Sequence, residues 1–139
     1  MPRSGVALAI LACCALALPA RAEMISFHTT MTGAAEVPPK TTAGSGDVLA
    51  TLDTATKKLS YTVTFMDLSG PATMAHFHGP AAVGANAGIV VPLMPAVSPI
   101  TGSVTLTDAQ VADLMAGKWY ANVHTAANPG GEIRGQMMK

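Results

Sequence analysis

Residues 46–66 read GDVLATLDTATKKLSYTVTFM, and this stretch decides the fold. In its second half Leu59, Tyr61, Val63 and Phe65 alternate with Ser60, Thr62, Thr64 and Met66. That period of two is the pattern of a strand with one face buried. In its first half Val48, Ala50 and Leu52 alternate with Asp47, Leu49 and Thr51, and Asp53 to Lys58 is a polar turn between the two runs. Two alternating runs joined by a short turn predict a β-hairpin.

The same rhythm extends outward. Upstream, Ile25 to Thr32 reads as a strand with Ile25, Phe27 and Thr29 on one face and His28 on the other. Glu36-Val37-Pro38-Pro39 ends it, since consecutive prolines cannot sit inside a central strand. Downstream, strands are expected over Thr73–His78, Ile89–Leu93, Gly102–Leu106, Trp119–Thr125 and Glu132–Met137. One helix is expected over 107–116. Thr107 and Gln110 have capping-box spacing. Val111, Leu114 and Met115 form its apolar face, and Gly117 stops it. About seven strands and one short helix predict an all-β antiparallel sandwich or barrel.

The chain of 139 residues is one domain in length, with 8 basic and 8 acidic side chains. A balanced charge and six aromatics argue against nucleic acid as a partner. Residues 1–22 read as a signal peptide: Arg3, an apolar run from Val6 to Leu18, then Ala20 and Ala22 flanking Arg21 at the expected cut. The run is too short for a transmembrane helix. The expectation is a periplasmic or secreted domain, residues 23–139, with six basic and eight acidic side chains. Both cysteines, Cys13 and Cys14, would leave with the signal, so no disulfide would hold the fold. A lipoprotein anchor at Cys13, in Ile10-Leu11-Ala12-Cys13, is the lesser alternative.

The histidines carry the chemistry. His76-Phe77-His78 on a strand points both imidazoles to one face, about 6–7 Å apart at Cα. Two ring nitrogens at that spacing can meet one ion at about 2.0–2.1 Å. Met74 lies on the same face, and a thioether favours copper over zinc. His124 sits in a later strand with Tyr120 and Asn122 as its same-face neighbours. The candidate metal site is therefore His76, His78 and His124, with Met74 as a weak fourth ligand and zinc as the second choice of metal. The alternative is a hydrogen-bonded polar cluster without metal. His28 reads as an ordinary surface residue. Glu132, Arg134 and Gln136 alternate with Ile133, Gly135 and Met137, which predicts a solvated polar face. An exposed Glu132–Arg134 pair there would contribute about 0–1 kcal/mol. The functional alternative has Glu132 or Arg134, with Asn122, supporting the imidazoles from behind. Met115 and the Met137-Met138 pair read as packing residues. A cysteine nucleophile is missing from 23–139, and so are a G-x-S-x-G elbow and a phosphate loop. No catalytic residue is assigned.

Several motifs together carry a family resemblance. They are Gly33-Ala34 before Glu36-Val37-Pro38-Pro39, Ala43-Gly44-Ser45-Gly46, and Ala75-His76-Phe77-His78-Gly79-Pro80-Ala81. Leu106 to Gln110 and Leu114 to Tyr120 follow, then Asn122-Val123-His124-Thr125 and Asn128 to Gln136. The chain resembles the CHRD domain, named for chordin, over about residues 25–138. The resemblance implies an all-β sandwich, immunoglobulin-like or superoxide-dismutase-like. It places the three histidines at family histidine positions. The H-x-H and later strand histidine are similar to the copper site of copper-zinc superoxide dismutases, although the disulfide and the zinc-loop ligands of those enzymes are missing here. The expected role is an exported binding module that takes a transition metal, with copper the first choice. The alternative is a metal-free envelope domain binding a protein or polysaccharide, and the third choice is a copper-dependent redox enzyme.

Overall fold

The computed structural model describes Met1 and residues 21–139. Most of the expected signal segment, including Cys13 and Cys14, lies outside the described residues. Eight strands and one helix follow in order: β1 Met24–Thr32, β2 Ser45–Asp53, β3 Lys58–Met66, β4 Ala72–His78, β5 Ile89–Pro92, β6 Ile100–Thr105, α1 Asp108–Met115, β7 Tyr120–Thr125 and β8 Ile133–Gln136. Among the described residues the count is eight, one for each segment expected to be a strand, so the total of about seven is one short. All form one antiparallel sheet in the order β5-β4-β7-β8-β1-β2-β3-β6, curled into a nearly closed barrel.

The hairpin of 46–66 is present in full register, from Ser45 opposite Met66 to Asp53 opposite Lys58. Its inward side chains Val48, Leu52, Leu59 and Val63 are completely buried. They meet Phe77 and Trp119 from the other half of the sheet, and Tyr61 packs edge-on against Phe77 at 5.3 Å. The tight curl needs Gly46: a Cβ there would stand 2.5 Å from the Thr64 carbonyl oxygen and 2.7 Å from Met31 Cε.

Thr107 caps α1, accepting from the Gln110 N–H at 3.2 Å while Gln110 Oε1 accepts from the Thr107 N–H at 2.9 Å. Thr107→Ala should cost about 1 kcal/mol in chemical denaturation, with the helix otherwise retained. Leu114 anchors the helix to the core and Met115 packs beside it. Met137 is buried, but Met138 is exposed rather than packed.

The strand β7 departs most from a half-buried pattern, because all six of its residues are buried. Its inner face supplies Ala121 and Val123 to the core. Its outer face is also covered, by the segments 36–37, 85–87 and 128–131, which bond or pack onto polar side chains there. A second, polar interior results.

Candidate metal centre

The outer layer forms where β4, β7 and β8 lie side by side. Asn122 pairs in register with His76 on one side and Arg134 on the other, and His78 pairs with Tyr120. His76, His78 and His124 are all buried, and one potential ligand nitrogen from each lies within 4.8 Å of the others. Residues 48 positions apart in the chain therefore share one site.

Hydrogen-bond partners define the protons. His124 Nδ1 stands 2.9 Å from the Pro129 carbonyl oxygen, so Nδ1 carries hydrogen and Nε2 is bare. That Nε2 stands 3.1 Å from His76 Nδ1, which donates to it. That hydrogen must leave Nδ1 before the two nitrogens can share an ion. Two nitrogens held at 2.0–2.1 Å from one ion stand about 2.9–3.4 Å apart at bond angles of about 90–110°. The 3.1 Å separation fits that range.

His78 is held differently. Its Nδ1 faces the Ala87 carbonyl oxygen at 3.0 Å and its Nε2 faces Asn122 Oδ1 at 2.9 Å. A neutral imidazole has one N–H, so it satisfies one of these two acceptors. To ligate, His78 must turn its bare nitrogen away from whichever acceptor, Asn122 or Ala87, it faces without a hydrogen. The ring stacks on Tyr120, centroids 4.8 Å apart and nearly parallel, and the Arg134 guanidinium lies 3.5 Å from the Tyr120 ring centre.

Burial pushes the His76 pKa down from 6.5 to about 4, and the neighbouring imidazoles His124 and His78 push the same way. Burial also lowers His78, against the opposing bonds from Ala87 and Asn122. Burial thus favours His76 and His78 as neutral imidazole, the form that binds metal.

Met74 follows the same outward alternation and pairs in register with His124, but it is 43% exposed at the rim. Asn122 touches the histidines directly, through His78. Arg134 reaches them only through Tyr120.

The solvated face expected for Glu132 and Arg134 is overturned. Glu132 is 0% and Arg134 2% exposed. The two do not pair. Arg134 donates to Asn86 Oδ1 at 2.9 Å and to the Ala85 carbonyl at 2.6 Å. Glu132 accepts from Thr42 and Thr125 hydroxyls at 2.6 Å each, from Ser69 N–H and hydroxyl, and from Asn128 Nδ2. It ties three loops together and bonds no imidazole. Burial opposes its ionisation, but the Ser69, Thr125 and Thr42 donors outweigh burial and hold its pKa at about 2. Alternation alone could not reveal this, because the covering loops come from distant sequence.

Glu36 was legible only as the end of a strand. It is 5% exposed, and its Oε1 has no hydrogen-bond partner. Burial raises its pKa, while Arg134, Asn122, the Val37 N–H and Lys40 pull it back. Gly131, at φ +125°, leaves room for it: a Cβ there would collide with Glu36 Oε1. His28 is an exposed residue 3.6 Å from Asp47, as a surface position should be.

Comparison with known proteins adds one finding. The family model of the CHRD domain matches residues 27–137. No curated protein and no solved structure matches the chain.

Proposed function

The chain belongs to the CHRD domain family, and from that premise we propose that it is an exported binding module whose His76, His78 and His124 hold a transition metal. The observation that carries this reading is the convergence of three buried histidines, one potential ligand nitrogen of each lying within 4.8 Å of the others. Copper is the first choice and zinc the second, because imidazole suits both and Met74 at the rim adds a soft donor for copper. His124 would bind through its bare Nε2. His76 would bind through Nδ1 once its hydrogen moves to Nε2, and His78 through the nitrogen it frees. Asn122 supports the site by its bond to His78, and the Arg134–Tyr120 stack fixes the plane of the same ring. A bound ion would supply charge and ligand exchange. The site assigns no group to catalysis.

A metal-free reading has its own support. His78 and His124 already bond acceptors within the fold, and His76 bonds His124. Such a cluster would be a rigid platform for an envelope protein or polysaccharide. Elemental analysis of residues 23–139, purified without a tag, separates the two readings. Near one equivalent of copper or zinc retained after dialysis is expected. No retention after copper and zinc loading would leave the platform.

Proton competition gives a second test. Burial lowers the pKa of His76 to about 4, so proton competition at His76 itself should set in only as pH approaches 4. In the metal-free protein the same depression lowers stability as pH falls from 6.5 towards 4. Over that window the unfolded chain binds a proton that folded His76 refuses.

A further inference from the structure

Beside the histidines, but separate from them, lies a cleft of about 280 Å³ between the segments 34–39 and 83–84 and the outer end of β8. Its lining includes Glu36, Val37, Pro39, Val83, Arg134 and Gln136. The volume sits just below the lower end of ligand pockets, about 300–1,000 Å³. Neither the metal reading nor the metal-free alternative uses it.

Arg134 is the informative wall. A guanidinium carries five N–H donors. Two of them bond Asn86 and Ala85, which leaves three. Both partners are neutral, and among the described residues no carboxylate lies within 4.0 Å of Arg134. Arg134 is 2% exposed, and the charge that meets it is the Glu36 carboxyl, more than 4.0 Å away, whose pKa it lowers, so an anion in direct contact would stabilise it further. Glu36 is the one carboxyl in the lining, yet it makes no direct ion pair with Arg134, and burial raises its pKa against the lowering by Arg134. The remaining walls are largely apolar, from Val37, Pro39 and Val83.

We propose that this cleft binds a small organic carboxylate, its charge on Arg134 and its apolar body against Val37, Pro39 and Val83. Arginine suits the task because its planar fork matches a carboxylate in two parallel hydrogen bonds. Asn86 and the Tyr120 ring hold the fork in place: Asn86 bonds Nη1, and Asn86 Nδ2 also bonds the Val37 carbonyl across the cleft. The site stands whether or not the imidazoles hold metal.

The test is a titration of residues 23–139 with sodium benzoate, followed by amide chemical shifts. Saturable one-site shifts at residues 34–37 and 83–86 are expected, with none from benzylammonium. Val83 is 79% exposed on the rim, so Val83→Trp should block the cleft without disturbing the core. It should weaken benzoate by roughly tenfold or more. Glu36→Gln removes the lining carboxyl and should leave benzoate bound as tightly or more tightly. Four outcomes would overturn the proposal. These are no saturation by millimolar benzoate, equal binding of benzylammonium, equal shifts from inorganic phosphate, and loss of benzoate on Glu36→Gln.

Discussion

Replacing His76 and His78 together with alanine should abolish stoichiometric metal retention, the largest functional effect predicted for this protein. The two residues supply two of the three imidazoles, and His124 alone offers one bare nitrogen. Each neutral imidazole lost removes a bond of about 2.0–2.1 Å to the ion, so affinity should fall by orders of magnitude rather than by a small factor. The fold should survive, because both side chains point away from the core defined by Ala75 and Phe77. The measurement pairs metal content by elemental analysis with a thermal melt of the metal-free variant. A folded double variant that keeps its full equivalent of metal would remove the trio as the site. A wild type whose melting temperature does not rise with copper or zinc would also count against it, since a ligand of the folded state must stabilise that state.

Glu132→Ala should give the largest loss of stability. The change leaves the Thr42, Ser69, Thr125 and Asn128 donors without their shared acceptor in a buried setting. Each buried donor left without an acceptor costs about 1–3 kcal/mol, so a loss of about 3 kcal/mol or more is expected for the set. Glu132→Gln should cost less, because its amide oxygen still accepts part of the set. Urea denaturation measures both. A loss below about 1 kcal/mol for the alanine variant would mean that the loops tie themselves down by other contacts. The pH dependence has a definite sign. The folded pKa of about 2 lies below the 4.5 of an unperturbed glutamate, so the contribution is complete above about 4.5. It declines as pH falls from there towards 2. The Glu132→Ala variant should lack that part of the acid dependence.

Much of the fold was legible in the chain. The alternation of Leu59, Tyr61, Val63 and Phe65 located β3, and Val48, Ala50 and Leu52 located β2, because a strand's two faces meet different solvents. Thr107 and Gln110 located the helix start, since capping is a contact between residues three apart. The His76-Phe77-His78 spacing put two imidazoles on one side of β4 for the same local reason.

Other features depended on long-range pairing. His124 joins His76 only because β7 pairs with β4 across a separation of 48 residues, and no local period encodes that neighbour. Glu132 and Arg134 looked solvated because polar alternation signals an outward face, but an outward face can be roofed. The segments that supply Asn86, Ala87, Thr42 and Ser69 turned that face into a second interior, where carbonyl and hydroxyl partners replace water. The sequence by itself determined the strands, the helix and the direction each imidazole points, since these follow from contacts within a few residues. Only the tertiary structure decided which polar groups meet and which lose water, because burial depends on the loops that close over a strand.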